Sequence, residues 1–176
     1  IPTFIKAPGL EQRYFDTLTI HSEGATGNTI AGSIVPVTAL ALENNILKVV
    51  IDGSANLTIA GDIVFNKVGD NNAATTADNG AATLTVTSTA AVTVGALNTQ
   101  DDDVTSLTVS NSGGGTLSVT IDAAKIDAAD ALTFTGGNIA LTMVGAVNLS
   151  DDVLTGVSQI TLVDATSTVL TLSQAQ

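Results

Sequence analysis

The chain has 176 residues, a length that fits one domain and allows a sizeable core without disulfides. Its 44% hydrophobic content excludes a disordered chain, and the lack of cysteine excludes thiolate metal sites. Seventeen acidic residues against five lysines and arginines give a net charge of −12, which argues against nucleic acid and anionic lipid as partners. Aromatic residues are only 3%, so the core must consist of Val, Leu, Ile and Ala, which together with abundant Thr favour an all-β fold.

Residues 1–45 lack the repeat described below and are predicted to form an N-terminal cap or arm. As a cap, residues 36–47 would form a short helix over the open end of the fold. As an arm, the first fifteen residues would reach a neighbouring subunit, as an exchanged apolar segment does. The candidate assembly contacts in this segment are Ile1, Phe4, Ile5, Tyr14 and Phe15. Because the chain begins at Ile1 rather than methionine, we expect a mature, exported product located outside the cell or on its surface.

Residues 46–176 carry a repeat of about 25 residues. An aliphatic residue, then Thr or Ser, then an aliphatic residue or Phe recurs with first residues at Leu57, Leu84, Leu107, Leu132 and Ile160. A second series with a similar period starts at Val64, Val92, Leu117, Leu141 and Leu170. A weaker third segment occurs at 96–97, 125–126 and 147–149. Three short strands per repeat predict a triangular coil, and stacked coils give a parallel β-helix of about five coils.

Alternation along these strands predicts which side chains face inward. Leu84 and Val86 are expected inside, with Thr85 and Thr87 outside. Stacking of the first series would align Thr85, Thr108, Thr133 and Thr161 in one outward column, and the second series would align Thr93, Ser118, Thr142 and Thr171. An antiparallel β-sandwich is the alternative, because it also has short strands separated by frequent turns.

Acidic corners recur at about the repeat period and could stack along one edge. Because stacked carboxylates repel each other and Ca²⁺ prefers oxygen ligands, these corners predict calcium as the one candidate cofactor. Solvated turn acids are the alternative interpretation. The candidate ligands are Asp101, Asp103, Asp127, Asp130, Asp151 and Asp152.

Catalytic chemistry is not expected. His21 is the only histidine, no cysteine accompanies it, and neither a Gly-x-Ser-x-Gly elbow nor a P-loop is present. Paired carboxylates occur only in polar turns, where nothing in the sequence would separate their pKa values. We therefore predict that the chain is not an enzyme.

The last predicted strand, 168–173, is followed in the sequence by only three residues. We expect its edge to be open and to serve as an assembly interface, with Leu170 and Leu172 as contacts. Regular outward Thr pairs also resemble the flat faces with which some antifreeze proteins hold ice-like water.

Several short sequence segments resemble repeat regions of bacterial S-layer proteins and large RTX-type secreted surface proteins. They are Leu84-Thr85-Val86-Thr87 and the segments 131–136 and 144–150. The resemblance covers roughly residues 46–176. It implies export, self-assembly into a layer or fibre, and calcium dependence, although the Gly-Gly-x-Gly-x-Asp calcium repeat of RTX proteins is absent.

The sequence therefore predicts a secreted structural subunit that assembles with itself into an extracellular filament or surface layer. A monomeric binding module, either an adhesin fragment or an ice-binding solenoid, is the alternative. The expected partner is the chain itself, with a cell-surface glycan as a further candidate. No run of eighteen apolar residues occurs, so no membrane span is expected.

Overall fold

A computed structural model describes residues 17–35, 48–65, 80–99, 104–127, 130–163 and 168–173. Within these ranges the regular secondary structure is β-strand throughout, without a helix. The strands are β1 (Thr17–Ser22), β2 (Asn28–Ile30), β3 (Lys48–Gly53), β4 (Leu57–Ile59), β5 (Ile63–Val64), β6 (Gly80–Val86), β7 (Val92–Asn98), β8 (Val104–Asn111), β9 (Leu117–Asp122), β10 (Ala131–Gly136), β11 (Ile139–Val144), β12 (Ala146–Asn148), β13 (Val157–Leu162) and β14 (Val169–Thr171). The prediction of an all-β fold is confirmed. The helix predicted over 36–47 lies outside the described residues.

The strands form two large sheets and two smaller pairings. The first sheet has the order β1-β3-β6-β8-β10, and the second has the order β2-β4-β7-β9-β11-β13. In addition, β5 pairs with β7, and β12 pairs with β14. Every pairing between the described strands is parallel, which the antiparallel sandwich does not allow.

The inward and outward faces of the strands are as the alternation predicts. Leu84 and Val86 on β6 are buried, whereas Thr85 is half-buried and Thr87 is exposed. The same alternation holds on β8 and β10, where Leu107, Leu132 and Phe134 are buried. These aliphatic positions stack into one continuous core between the sheets, because each parallel strand repeats the inward pattern of its neighbour.

Four of the predicted repeat segments pair differently from what was expected. The repeat segment at Leu57 forms β4 and the one at Ile160 lies in β13, and both strands belong to the second sheet rather than the first. The segment at Leu170 pairs with β12 and not with the second series. The segment at Val64 pairs with Asn98 at the end of β7 and not with Val92. Each face of such a fold needs the same alternation of aliphatic residues and Thr, so the pattern does not identify the sheet to which a strand belongs.

Each of the two predicted Thr columns differs from the observed register by two residues at one step. Thr83, Thr108 and Thr133 align across β6, β8 and β10, and Thr85 aligns with Ser110 rather than with Thr108. On the second sheet, Thr93 aligns with Ser118 as predicted, but Thr142 aligns with Thr120 and Thr161 rather than with Ser118. A shift of two residues keeps every side chain on the same face, so the inward pattern alone permits either register.

The corners between the first and second sheets also stack on one another. The Thr87 N–H donates to Ile51 O at 2.9 Å, the Ser112 N–H donates to Val86 O at 2.9 Å, and the Gly137 N–H donates to Asn111 O at 3.0 Å. The buried Asn111 side chain donates to Gly115 O and Gly137 O at 3.0 and 2.8 Å. The turns therefore continue the hydrogen-bond pattern of the sheets.

Residues 17–35, which the sequence analysis assigned to the N-terminal cap or arm, extend the same two sheets. β1 pairs with β3, β2 pairs with β4, and Ile34 forms a parallel bridge to Ile63. The rest of that segment, 1–16 and 36–47, lies outside the described residues.

No helix long and apolar enough to cross a bilayer occurs in the part of the chain that the structure describes.

Candidate functional site

The most distinctive surface is the outer edge of β13 in the second sheet. Its only strand neighbour among the described residues is β11. Val157, Ile160 and Leu162 on β13 are in register with three core residues of β11. Those core residues, Ile139, Leu141 and Met143, are at most 1% exposed, whereas Leu162 is 47% exposed and Val157 and Ile160 are only partly buried. The core therefore extends to this edge without being covered there.

A concavity of about 300 Å³ opens beside the same strand. Its lining combines aliphatic side chains from β13, from the segment before it and from the residue after β14, with two polar residues of β13. These lining residues are Leu154, Val157, Ser158, Gln159, Ile160 and Leu172. Its shape and its apolar side chains suit packing against another apolar surface.

Exposed large apolar side chains are concentrated at this edge. Of six among the described residues, four lie on β13 or β14 or directly after them. These four are Leu162, Val163, Val169 and Leu172, whereas Val153 bridges Thr133 of β10 in the first sheet and Val35 follows the bridge of Ile34 to Ile63. Neither β13 nor β14 contains a charged residue or a proline, the features with which soluble proteins usually block an edge strand. We refer to these four residues together with the lining of the concavity as the β13 edge.

The opposite edge of the sheets has a corresponding arrangement. Ile20, Ile30 and Ile34 are only partly buried, although they are in register with Ile51, Ile59 and Ile63, which are fully buried. We refer to the three partly buried isoleucines and their strands as the β1–β2 edge. In the described residues the core is thus open at both of its ends.

The predicted assembly contacts are only partly described. Leu170 packs against the core, and Leu172 lines the concavity of the β13 edge. Ile1, Phe4, Ile5, Tyr14 and Phe15 lie outside the described residues. Leu154, Val157 and Ile160 were not predicted as edge residues, because the repeat segment at Ile160 was assigned to the first sheet. The absence of charged residues from segment 153–163 was the sequence feature that could have indicated an interface there.

Two of the acidic corners come together near the beginning of β10. Asp127 and Asp130 precede this strand, and Asp152 Oδ1 accepts a hydrogen bond from the Leu132 N–H at 2.8 Å. Burial raises the pKa of Asp152, the hydrogen bond from the Leu132 N–H opposes this rise, and neighbouring Asp151 adds to it. No group of three or more acidic, histidine or cysteine side chains suited to a metal ion occurs in the described ranges. Asp101 and Asp103 lie outside them, so calcium binding stays a prediction.

Asp130 has an unusual environment for a carboxylate. It is 8% exposed, and its Oδ2 atom is buried without a hydrogen-bond partner. Burial raises the pKa of Asp130 to about 6, a hydrogen bond with the Thr99 side chain opposes this rise, and nearby Asp127 adds to it. The folded chain therefore binds the Asp130 proton more tightly than an exposed aspartate would, and keeps it up to a pH of about 6.

This raised pKa predicts a stability that falls with increasing pH. Well below pH 3.8 Asp130 is protonated in both the folded and the unfolded state, and this stability is lost as the pH rises from about 4 through the folded pKa of about 6. At about 1.4 kcal/mol per pKa unit, the loss amounts to a few kcal/mol. Urea unfolding at pH 4 and pH 7 should show a larger loss of stability for the wild type than for Asp130→Asn. Equal losses in the two proteins would contradict the assignment.

His21 forms a small exposed cluster at the end of β1. Its Nδ1 lies 2.5 Å from Asp52 Oδ1, and its Nε2 lies 2.9 Å from Glu23 Oε1. Hydrogen bonds to these two carboxylates raise the pKa of His21, the one to Asp52 having the larger effect. Asp52 is the partner of His21 in the parallel pairing of β1 with β3. The cluster is a surface ion pair on the outward face of the first sheet.

No protein-family model matches the chain, and no curated protein or solved structure is significantly similar to it.

Proposed function

We propose that the chain is a secreted, non-catalytic β-solenoid that assembles with copies of itself into an extracellular filament or surface layer. The strand order supports the solenoid. The chain passes from the first sheet to the second five times among the described strands, at β1–β2, β3–β4, β6–β7, β8–β9 and β10–β11. Each pass adds one parallel strand to each sheet, as about five stacked coils would.

The observation that carries the assembly is the incomplete burial of the β13 edge. Val157, Ile160 and Leu162 occupy core positions, and no strand among the described residues covers them. Covering them would contribute about 25 cal/mol per Å² of apolar surface, and pairing of the strand edge would add main-chain hydrogen bonds. These contributions favour a partner that supplies further β-structure.

The charge of the chain sets the conditions for assembly. A net charge of −12 opposes the approach of two copies, so salt or divalent cations should strengthen their association. Bridging of the acidic corners by calcium is part of the proposal, and a cell-surface glycan is a further candidate partner of the assembled layer.

Negative-stain electron microscopy of the purified chain tests the proposal. We expect regular filaments or sheets in calcium and at moderate salt, with fewer and shorter assemblies in chelator at low salt. Equal assembly in both conditions would contradict the role of cations. Uniform small particles at every protein concentration would contradict self-assembly itself.

The second candidate function is a monomeric binding module, and the outward Thr columns favour it. Thr83, Thr108 and Thr133 lie beside a second column of Thr85, Ser110 and Thr135 on the first sheet. Neighbouring strands repeat at about 4.8 Å, so the two columns form a regular array of hydroxyl groups that suits ice-like water. Under this alternative, Thr108→Leu with Thr133→Leu would abolish inhibition of ice growth without unfolding the chain.

A further inference from the structure

We infer that copies of the chain join head to tail, with the β1–β2 edge of one copy covering the β13 edge of the next. This inference rests on the proposed self-assembly and specifies which surfaces meet and in which orientation. It therefore predicts an interface between two different surfaces, which continues from copy to copy without closing.

The direction of the strands carries this orientation. All pairings in both large sheets are parallel, and the inward face of each strand is continuous with that of its neighbour. A twofold axis between two β13 strands would either reverse the strand direction or turn the inward face outward. Head-to-tail joining avoids both, because β1 and β2 of the next copy run in the required direction with their aliphatic side chains inward.

The two edges are also complementary in their chemistry. The β1–β2 edge presents Ile20, Ile30 and Ile34 at core positions, and the β13 edge presents Val157, Ile160 and Leu162. No lysine, arginine, aspartate or glutamate occurs in β1, β2, β13 or β14, so this contact avoids the like-charge repulsion expected elsewhere on the chain. The concavity next to Ile160 and Leu172 can receive Ile30 of β2.

A second copy is the occupant that fits both sheets at once. To continue the fold, a partner must add one strand to the first sheet and one to the second, at the distance that separates the two sheets within a coil. β1 and β2 already lie at this distance, because they belong to the two sheets of one coil. A single peptide strand would extend only one of the two sheets.

Two edge-blocking variants test the orientation. Ile160→Lys blocks the β13 edge, and Ile30→Lys blocks the β1–β2 edge, while Thr161→Lys and Thr29→Lys place the same charge on the outward face of the same strands. In sedimentation velocity each blocked variant alone should remain monomeric. The concentration needed for association should rise at least 100-fold, because the joint would have to bury an unpaired charge. An equimolar mixture of the two should form dimers that do not grow, since one intact joint remains. Both Thr variants should assemble as the wild type does.

Three other outcomes would contradict the head-to-tail joint or the proposed self-assembly. Dimers of Ile30→Lys alone would show a symmetric joint at the β13 edge and would overturn the head-to-tail orientation, as would a mixture that stays monomeric. A wild-type chain that never assembles would overturn the proposed function itself. Circular dichroism checks that each variant is folded. If Ile160→Lys or Ile30→Lys is not folded, Leu172→Lys or Ile34→Lys replaces it at the same edge. Leu172 is already 45% exposed, so a lysine there disturbs the fold less.

Discussion

Replacing Phe134 with alanine is expected to lower the free energy of unfolding by about 3–5 kcal/mol. Phe134 lies on β10 in register with Val109 of β8, and both side chains are fully buried in the core. Its aromatic ring fills space that the surrounding Val, Leu and Ile side chains cannot close by relaxing, because they are held by parallel strands. A chain of this size has a total stability of only about 5–15 kcal/mol, so the variant should be close to unfolding at moderate temperature.

Thr135→Ala is the matched control for this prediction. Thr135 follows Phe134 on the same strand but points to the outward face beside Ser110. Its replacement should change the free energy of unfolding by no more than about 0.5 kcal/mol. Urea denaturation followed by circular dichroism measures both variants. Equal effects of the two substitutions would contradict the assignment of the inward face.

The second large effect is expected at Gly136, which ends β10 at a corner. Its φ angle of +94° is one that residues with a side chain rarely adopt. A Cβ atom added there would lie 2.1 Å from Asn111 O, a backbone atom of the neighbouring strand that cannot move without disturbing the corner. Gly136→Ala should therefore destabilise the chain by at least about 2 kcal/mol, from backbone strain together with the clash.

The neighbouring glycine provides the control. A Cβ atom added to Gly137 would have no other atom within 4 Å, and Gly137 does not have a positive φ angle. Gly137→Ala should leave the stability unchanged or raise it by up to about 1 kcal/mol, because alanine restricts the unfolded chain. If thermal unfolding showed the two alanine variants to be equally stable, the described geometry of this corner would be wrong.

The sequence predicted the local features of the fold better than its long-range register. Alternation on β6, β8 and β10 identified which residues are buried, because the position of a side chain on a strand depends only on its parity. It did not place Leu57 or Ile160 on the correct sheet, because the same aliphatic pattern suits every face. It also did not fix the alignment of Thr85 with Ser110, since a shift of two residues preserves the pattern.

The candidate site was predicted only in part for the same reason. Leu170 and Leu172 were expected at an assembly interface, and they lie near or on the β13 edge. Val157 and Ile160 were not expected there, because an edge strand is defined by its neighbours in space and not by its own composition. The raised pKa of Asp130 could not be predicted either, because its cause is burial in a corner that looks like a polar turn in the sequence.

X-ray diffraction from oriented filaments of the purified chain tests the central claim most directly. Parallel coils that continue from one copy into the next place the strands across the filament, so the reflection at about 4.8 Å should lie along the filament axis. The same reflection perpendicular to the axis would show that the coils stack across the filament and that the copies join through their sides. That result would contradict the proposed head-to-tail assembly.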